Sequence, residues 1–140
     1  MRLKADATIK LSALQQKLEE RFGLGSRAQE EWSKTVWEGS APYMPMDTGA
    51  FIAHSWEVSR PLFAEGELVY QPPPGVDYPY LPRFLWTGQS EGVKGPPKII
   101  QNYTQSTNAK AGGQWTTRAA NDFKPVWLAN FQAKVSSGEI

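Results

Sequence analysis

The chain contains no cysteine, and its only histidine is His54. Without cysteine it has no disulfides, no thiolate metal sites and no cysteine nucleophile. Zinc sites need several nitrogen or sulfur ligands, and histidine-based acid–base catalysis would depend on His54 alone. The sequence therefore predicts no metal or other cofactor and disfavours an enzyme of these classes.

An excess of charge and a long apolar run are also missing. The 15 Lys and Arg residues are balanced by 14 Asp and Glu residues, so the formal net charge is +1 and no overall field would concentrate a polyanion such as nucleic acid. No apolar run approaches the roughly 20 residues that span a bilayer, and MRLKADATIK lacks the apolar core of a signal peptide. We therefore expect a protein that is synthesised and kept in a cytoplasm, with no membrane partner.

What is present is enough apolar material for one domain over residues 1–140. The chain is 40% apolar and 12% aromatic, which is typical of a single globular core. A short strand is possible at Ala7–Lys10. Apolar residues that share one helix face then predict a first helix, namely Leu11, Leu14, Leu18 and Phe22.

The next segment predicts a second helix, joined to the first by a Gly-rich turn. Ser26 and Gln29 have the spacing of a capping box, in which the Ser hydroxyl accepts from the third backbone N–H. Ala28, Trp32 and Val36 then recur at i, i+4 and i+8. We expect this face of the helix to be buried.

The middle of the chain changes to proline, aromatic and β-forming residues. Trp56–Arg60 and Glu67–Tyr70 have strand character and predict a hairpin or two neighbouring strands. The stretch RFLWTG predicts either a helical turn or a strand that ends at Gly88. Gln89–Gly113 predicts a long loop interrupted by a strand near Lys98–Gln101.

The last segment has the strongest helical pattern. Apolar residues recur every four positions as a slowly drifting stripe: Trp115, Ala119, Phe123, Trp127 and Phe131. Pro125 interrupts the pattern, because it removes the N–H that would bond the Asn121 carbonyl. We therefore expect a kink or a restart near Lys124.

Asp47-Thr48-Gly49 is the tripeptide that carries the catalytic carboxylate in pepsin-like and retroviral aspartic proteases. Such enzymes need two of these loops, since two carboxylates share one proton across an activated water. The chain has one copy, and the prolines of APYMPM fit poorly in the apolar strand that would lead into it. We therefore interpret Asp47 as the N-cap of a short turn from Thr48 to Ser55, which Phe51 anchors in the core.

Two other patterns have both a functional and a structural interpretation. His54 stands beside Ser55, but adjacent residues point in different directions, so a structural histidine is favoured over a catalytic pair. The tryptophans could form a sugar-binding or base-stacking surface. Four of them lie on helical stripes, which favours core packing: Trp32, Trp37, Trp115 and Trp127.

Three stretches, taken in order, resemble one known family. The first, PYMPMDTGAFIAHS, matches at Pro45, Asp47, Thr48, Gly49, Phe51 and Ser55. The second, YLPRFLWTG, has Pro82 where a small residue is more usual and matches at Arg83, Phe84, Trp86 and Gly88. The third, NAKAGGQWTTRAANDFKPVW, departs from a continuous helix at Pro125 and matches at Lys110, Ala111, Gly112, Trp115, Arg118, Ala119, Asn121 and Trp127. Their order and spacing resemble the minor capsid protein family of long-tailed bacteriophages, which is related to the tail-completion proteins of the head–tail neck.

The resemblance implies an α+β fold, in which a small antiparallel sheet packs with N-terminal helices and a long C-terminal helix. It implies a homo-oligomeric ring in the virion, of about six copies, that joins the DNA-filled head to the tail. Its partners would be head–tail connector proteins on one face and the tail terminator or tail tube on the other. DNA would pass through the lumen without specific binding, and neither an enzymatic activity nor a cofactor is implied.

A closed ring repeats one head-to-tail contact between different surfaces of the subunit. The Pro-rich Gln71–Asp77 and the Gly-rich Gln89–Gly113 are candidates for arms that reach a neighbour. Two alternative functions stay open. One is a capsid accessory protein outside the neck, and the other is a small aspartic-type hydrolase that uses Asp47.

Overall fold

A computed structural model describes residues 1–4, 23, 25–45, 49–90, 98–103, 105 and 108–140. It contains a two-stranded antiparallel sheet and four helices, the last of them long, which confirms the predicted α+β class with a mainly helical balance. The elements are β1 (Arg2–Lys4), α1 (Arg27–Ser40), α2 (Ala50–Ser59), β2 (Glu67–Val69), α3 (Leu81–Thr87) and α4 (Trp115–Ser136). The predicted strand at Ala7–Lys10 and the predicted first helix lie outside the described residues.

Helix α1 begins where the capping pattern predicts. The Ser26 hydroxyl accepts from the backbone N–H of Gln29 at 3.0 Å, and Trp32 and Val36 are buried. The buried polar groups of this helix are satisfied in turn, because the Gln29 amide donates to the Ser33 hydroxyl, which donates to the carbonyl of Phe63. A 3-10 turn, Ala41–Tyr43, continues the chain toward the first motif stretch.

The sheet pairs strands that the sequence did not predict to be partners. Strand β1 runs antiparallel to β2, with Leu3 opposite Leu68. The predicted strand at Trp56–Arg60 is wrong, because these residues form the end of α2 and the start of a second 3-10 turn, Arg60–Glu65.

Buried serines explain why a helix lies at Trp56–Arg60, where a strand was predicted. The Ser59 hydroxyl donates to the Val69 carbonyl at 2.8 Å and accepts from the Val69 N–H at 2.7 Å. Ser55, one turn earlier, accepts from the N–H of Gln71. Helix α2 therefore satisfies the edge of β2 that another strand would otherwise pair with.

Helix α4 runs through Pro125 without interruption, so of the predicted kink or restart near Lys124 the restart is wrong. An internal proline costs about 3 kcal/mol because it removes one hydrogen bond and crowds the preceding turn. Burial on both sides of the proline holds the two halves in one helix: Trp115 and Ala119 precede it, and Trp127 and Phe131 follow it. Within the described ranges, no helix combines the length and the apolar character needed to cross a bilayer.

Two loop predictions are decided by the structure. The stretch RFLWTG belongs to helix α3, which ends at Gly88 in the left-handed conformation with φ 75°. Near Lys98–Gln101 a single antiparallel bridge joins Gln89 to Ile99, where a strand was predicted. Helix α2 begins at Ala50.

Candidate functional site

The three motif stretches meet at Trp115, the first residue of α4, which is completely buried. Phe51 from the first stretch packs edge-on against its ring at 6.0 Å, and Trp86 from the second does so at 4.7 Å. Tyr70, which belongs to none of the stretches, adds a third edge-on contact at 5.2 Å. Each such pair contributes about 0.5–1.5 kcal/mol beyond its buried area, so Trp115 joins distant parts of the chain into one cluster.

The second and third stretches also touch through their backbones. The N–H of Gln114 donates to the carbonyl of Trp86 at 3.0 Å. A Cβ atom at Gly113 would lie 2.4 Å from the same carbonyl oxygen, which is closer than van der Waals contact permits. Gly113 was not among the predicted motif residues, although the Gly-Gly pair before Trp115 could have indicated it.

Arg118 fastens the loop before α4 to the beginning of the first motif stretch. Its guanidinium donates to three backbone carbonyls, those of Gly113 at 2.7 Å, Lys110 at 3.0 Å and Tyr43 at 3.1 Å. A planar fork with five N–H donors suits this arrangement, which a single ammonium group could not reproduce. Gly112 gives the fork room, because a Cβ there would lie 2.9 Å from the Arg118 Nη2 atom.

Tyr43, which accepts one of these hydrogen bonds, lies in the first stretch but was not among its matched residues. It is buried, and its hydroxyl donates to the carboxylate of Asp122 and accepts from the Lys110 ammonium. Desolvation raises the pKa of the Tyr43 hydroxyl, the bond to Asp122 raises it further and Lys110 opposes the shift. Nearby, the Asn108 amide donates to the carbonyls of Ala41 and Met44, which ties the same loop down again.

Tyr70 is the other residue of the cluster that the motifs did not identify. It is fully buried, and burial raises the pKa of its hydroxyl to about 12. The hydroxyl lies 3.4 Å from that of Thr116 and close enough to the Trp115 indole for its N–H to oppose this shift. That N–H is buried and has no acceptor with hydrogen-bond geometry among the described residues, so the indole is held by packing.

The remaining predicted motif residues occupy structural positions. Phe51 and Ser55 lie on the buried face of α2, and Ala119 is fully buried on α4. Trp127 packs directly over Gly39, where a Cβ atom would approach its ring to 2.3 Å. Arg83 is exposed on α3.

Helix α2 begins at Ala50, and Gly49 occupies its N-cap position with φ 85°. Pro45 is half-buried ahead of it. Asp47 and Thr48 lie outside the described residues, so their predicted roles stay predictions.

The polar groups of this junction are engaged in holding its own backbone. In the described part of the chain, no group of three or more His, Cys, Asp or Glu side chains is placed to hold a metal ion. His54 is half-buried, while the neighbouring Ser55 is buried and binds backbone of Gln71. The contacts described above hold three chain segments together in one packed junction.

Comparisons of this chain with models of known protein families, with curated proteins and with solved structures find no match. The resemblance to phage minor capsid proteins therefore depends on the three motif stretches alone.

Proposed function

We propose that the protein is a structural subunit of the head–tail neck of a long-tailed bacteriophage. The observation that supports this proposal is the convergence on Trp115 of the three stretches that carry the resemblance. If the three stretches define one fold, they are expected to meet in one cluster although they are separate in sequence. Chance matches along a chain would not be expected to meet.

In this proposal the protein acts by assembling and catalyses no reaction. Copies form a ring, of about six by the resemblance, between connector proteins on the head side and the tail terminator or tube on the other. The net charge of +1 suits a lumen through which DNA passes without being held. The subunit is made in the bacterial cytoplasm and becomes part of the virion.

The test is a phage whose copy of this gene carries a stop codon, imaged by electron microscopy after growth in a non-suppressing host. We expect full heads without attached tails, and rescue when the intact chain is supplied from a plasmid. Tailed particles with altered heads would instead support a capsid accessory protein outside the neck. Normal, infectious particles would overturn both virion functions.

One variant separates the neck proposal from the hydrolase alternative in the same assay. Asp47→Asn removes a carboxylate that a hydrolase requires but keeps an oxygen that can accept a hydrogen bond. We expect the plasmid-borne variant to rescue tail joining as well as the intact chain does. Loss of rescue by a variant that remains folded would favour chemistry at Asp47.

A further inference from the structure

One section of α4 is exposed on every face although the helix is buried before and after it. Residues 121–126 are all exposed, while Ala119 and Trp127 on either side are buried. Six helical residues cover more than one and a half turns, and the section contacts the body of the subunit where the Phe123 ring lies edge-on to Tyr43 and Asp122 accepts from the Tyr43 hydroxyl. Phe123 and Val126 are 39% and 52% exposed within it. We call residues 121–126 the exposed α4 segment.

A second exposed apolar surface lies on the connection between β2 and α3, residues 71–80, which we call the Pro-rich arm. Val76 is 44% exposed and Tyr80 is 51% exposed. The arm is rigid at its tip, because the N–H of Val76 donates to the carbonyl of Pro73 and Gly75 completes the turn with φ 88°. A rigid, proline-rich turn loses little conformational entropy when it binds.

Each surface carries one exposed charge without a partner, and the two charges are opposite. Asp77 lies in the Pro-rich arm and Lys124 lies in the exposed α4 segment. Among the described residues neither forms a salt bridge. The other charge of the segment, Asp122, accepts a hydrogen bond from Tyr43.

The two surfaces are complementary, and one chain carries both. Each has two large apolar side chains beside one charge that forms no salt bridge among the described residues, and these two charges, Asp77 and Lys124, are opposite. A ring needs two different surfaces of one subunit that fit each other, because its contact is head-to-tail.

We propose that the Pro-rich arm of one copy docks on the exposed α4 segment of the next copy. Val76 and Tyr80 pack against the apolar side chains of the segment, and Asp77 pairs with Lys124. This inference rests on the proposed ring function and names the contact that builds the ring. It also accounts for two sets of apolar side chains that are exposed in the single subunit.

Cross-linking tests the contact directly, because the natural chain has no cysteine. Val76→Cys and Val126→Cys are made as single variants, mixed and treated with a short bis-maleimide. We expect a heterodimer, identified by mass spectrometry, and a ladder of covalent oligomers from the double variant. Ile99→Cys, at a position that is 66% exposed outside both surfaces, is the matched control in place of Val126→Cys. We expect its heterodimer yield to be about tenfold lower.

Charge exchange is the second test. Asp77→Lys and Lys124→Asp should each weaken self-association by about tenfold or more, because like charges then face each other. The variant that carries both charge changes should have a dissociation constant for self-association within about threefold of that of the natural chain. Sedimentation velocity measures the dissociation constants, and Lys98→Asp controls for the change in net charge.

The outcomes separate this contact from the proposed function. A chain that forms the virion neck but gives no specific cross-link overturns the contact and leaves the function standing. A specific cross-link in a chain that is absent from virions supports the contact and overturns the function. If the chain with both Val76→Cys and Val126→Cys is cross-linked only within single copies, the contact is overturned. The same holds if the natural chain stays monomeric at every concentration.

Discussion

Gly113 gives the sharpest test of the junction around Trp115. In Gly113→Ala the new Cβ atom would lie 2.4 Å from the carbonyl oxygen of Trp86 and 3.2 Å from the hydroxyl of Tyr103. The hydroxyl can move, but the carbonyl belongs to the backbone of α3. The loop before α4 and the helix α3 must therefore separate to admit one methyl group.

The cost follows from the contacts that this separation weakens. The hydrogen bond from Gln114 to Trp86 contributes about 1 kcal/mol, and the edge-on contact between Trp86 and Trp115 about 0.5–1.5 kcal/mol. Overpacking strain in a well-packed site costs about 1–3 kcal/mol by itself. These terms are not additive, and we expect Gly113→Ala to lower the free energy of unfolding by about 2–4 kcal/mol.

Urea unfolding followed by tryptophan fluorescence measures this loss, and Gly112→Ala is the matched control. A Cβ atom at Gly112 meets the Nη2 atom of Arg118 at 2.9 Å, which is the end of a side chain and can shift. We expect the control to lose less stability than Gly113→Ala. If Gly113→Ala is as stable as the natural chain, or if Gly112→Ala loses more stability, the close approach of Gly113 to the Trp86 carbonyl is refuted.

Variants at three further positions test other contacts of the fold. Ionisation of Tyr70 should not affect stability below pH 10, and between pH 10 and 12 it should lower the free energy of unfolding by about 3 kcal/mol, because the unfolded chain ionises first. Tyr70→Phe should flatten this slope in urea titrations across that range. Arg118→Lys should cost about 1–3 kcal/mol in urea unfolding, since one ammonium cannot serve three carbonyls, and an unchanged midpoint would contradict the clamp. Ser59→Ala should cost about 1–3 kcal/mol and speed amide exchange at Val69, whereas Ser59→Thr, which keeps the hydroxyl, should lose less.

Helical periodicity predicted the elements whose burial follows from local spacing. Ser26 caps α1 as the pattern indicates, and the stripe of α4 is buried at Trp115, Ala119 and Trp127. Capping depends on neighbouring residues, and a stripe depends only on the 3.6-residue turn. Neither needs knowledge of distant parts of the chain, so both are accessible from the sequence.

The predicted hairpin failed because strand formation depends on partners. Trp56 and Val58 have β-forming side chains, but β propensity reflects packing on a pleated surface more than a backbone preference. Here Trp56 packs from a helix between Trp37 and Phe63. The strand partner of β2 comes from residues 2–4, whose distance in sequence hides the pairing from local patterns.

The motif residues identified the junction but not all the atoms that hold it. Trp115 and Arg118 were singled out, yet their contacts include Tyr43, Tyr70 and Gly113, none of which was among the matched motif residues. A buried tyrosine or a closely approached glycine is recognisable only when the second segment is in place. Spacing can therefore indicate that a residue matters without indicating what it contacts.

The polar groups of this subunit differ in what they bind: some bond its own backbone, and others are exposed at its surface. The guanidinium of Arg118 and the amide of Asn108 bind backbone carbonyls of the subunit itself. Such groups are occupied in holding the fold and are not available to a ligand without unfolding part of the junction. By contrast Asp77 and Lys124 are exposed, form no salt bridge with another described residue and are flanked by large apolar side chains. If the subunit assembles as proposed, recognition is therefore expected at these exposed surfaces, while the motif residues hold the fold that presents them.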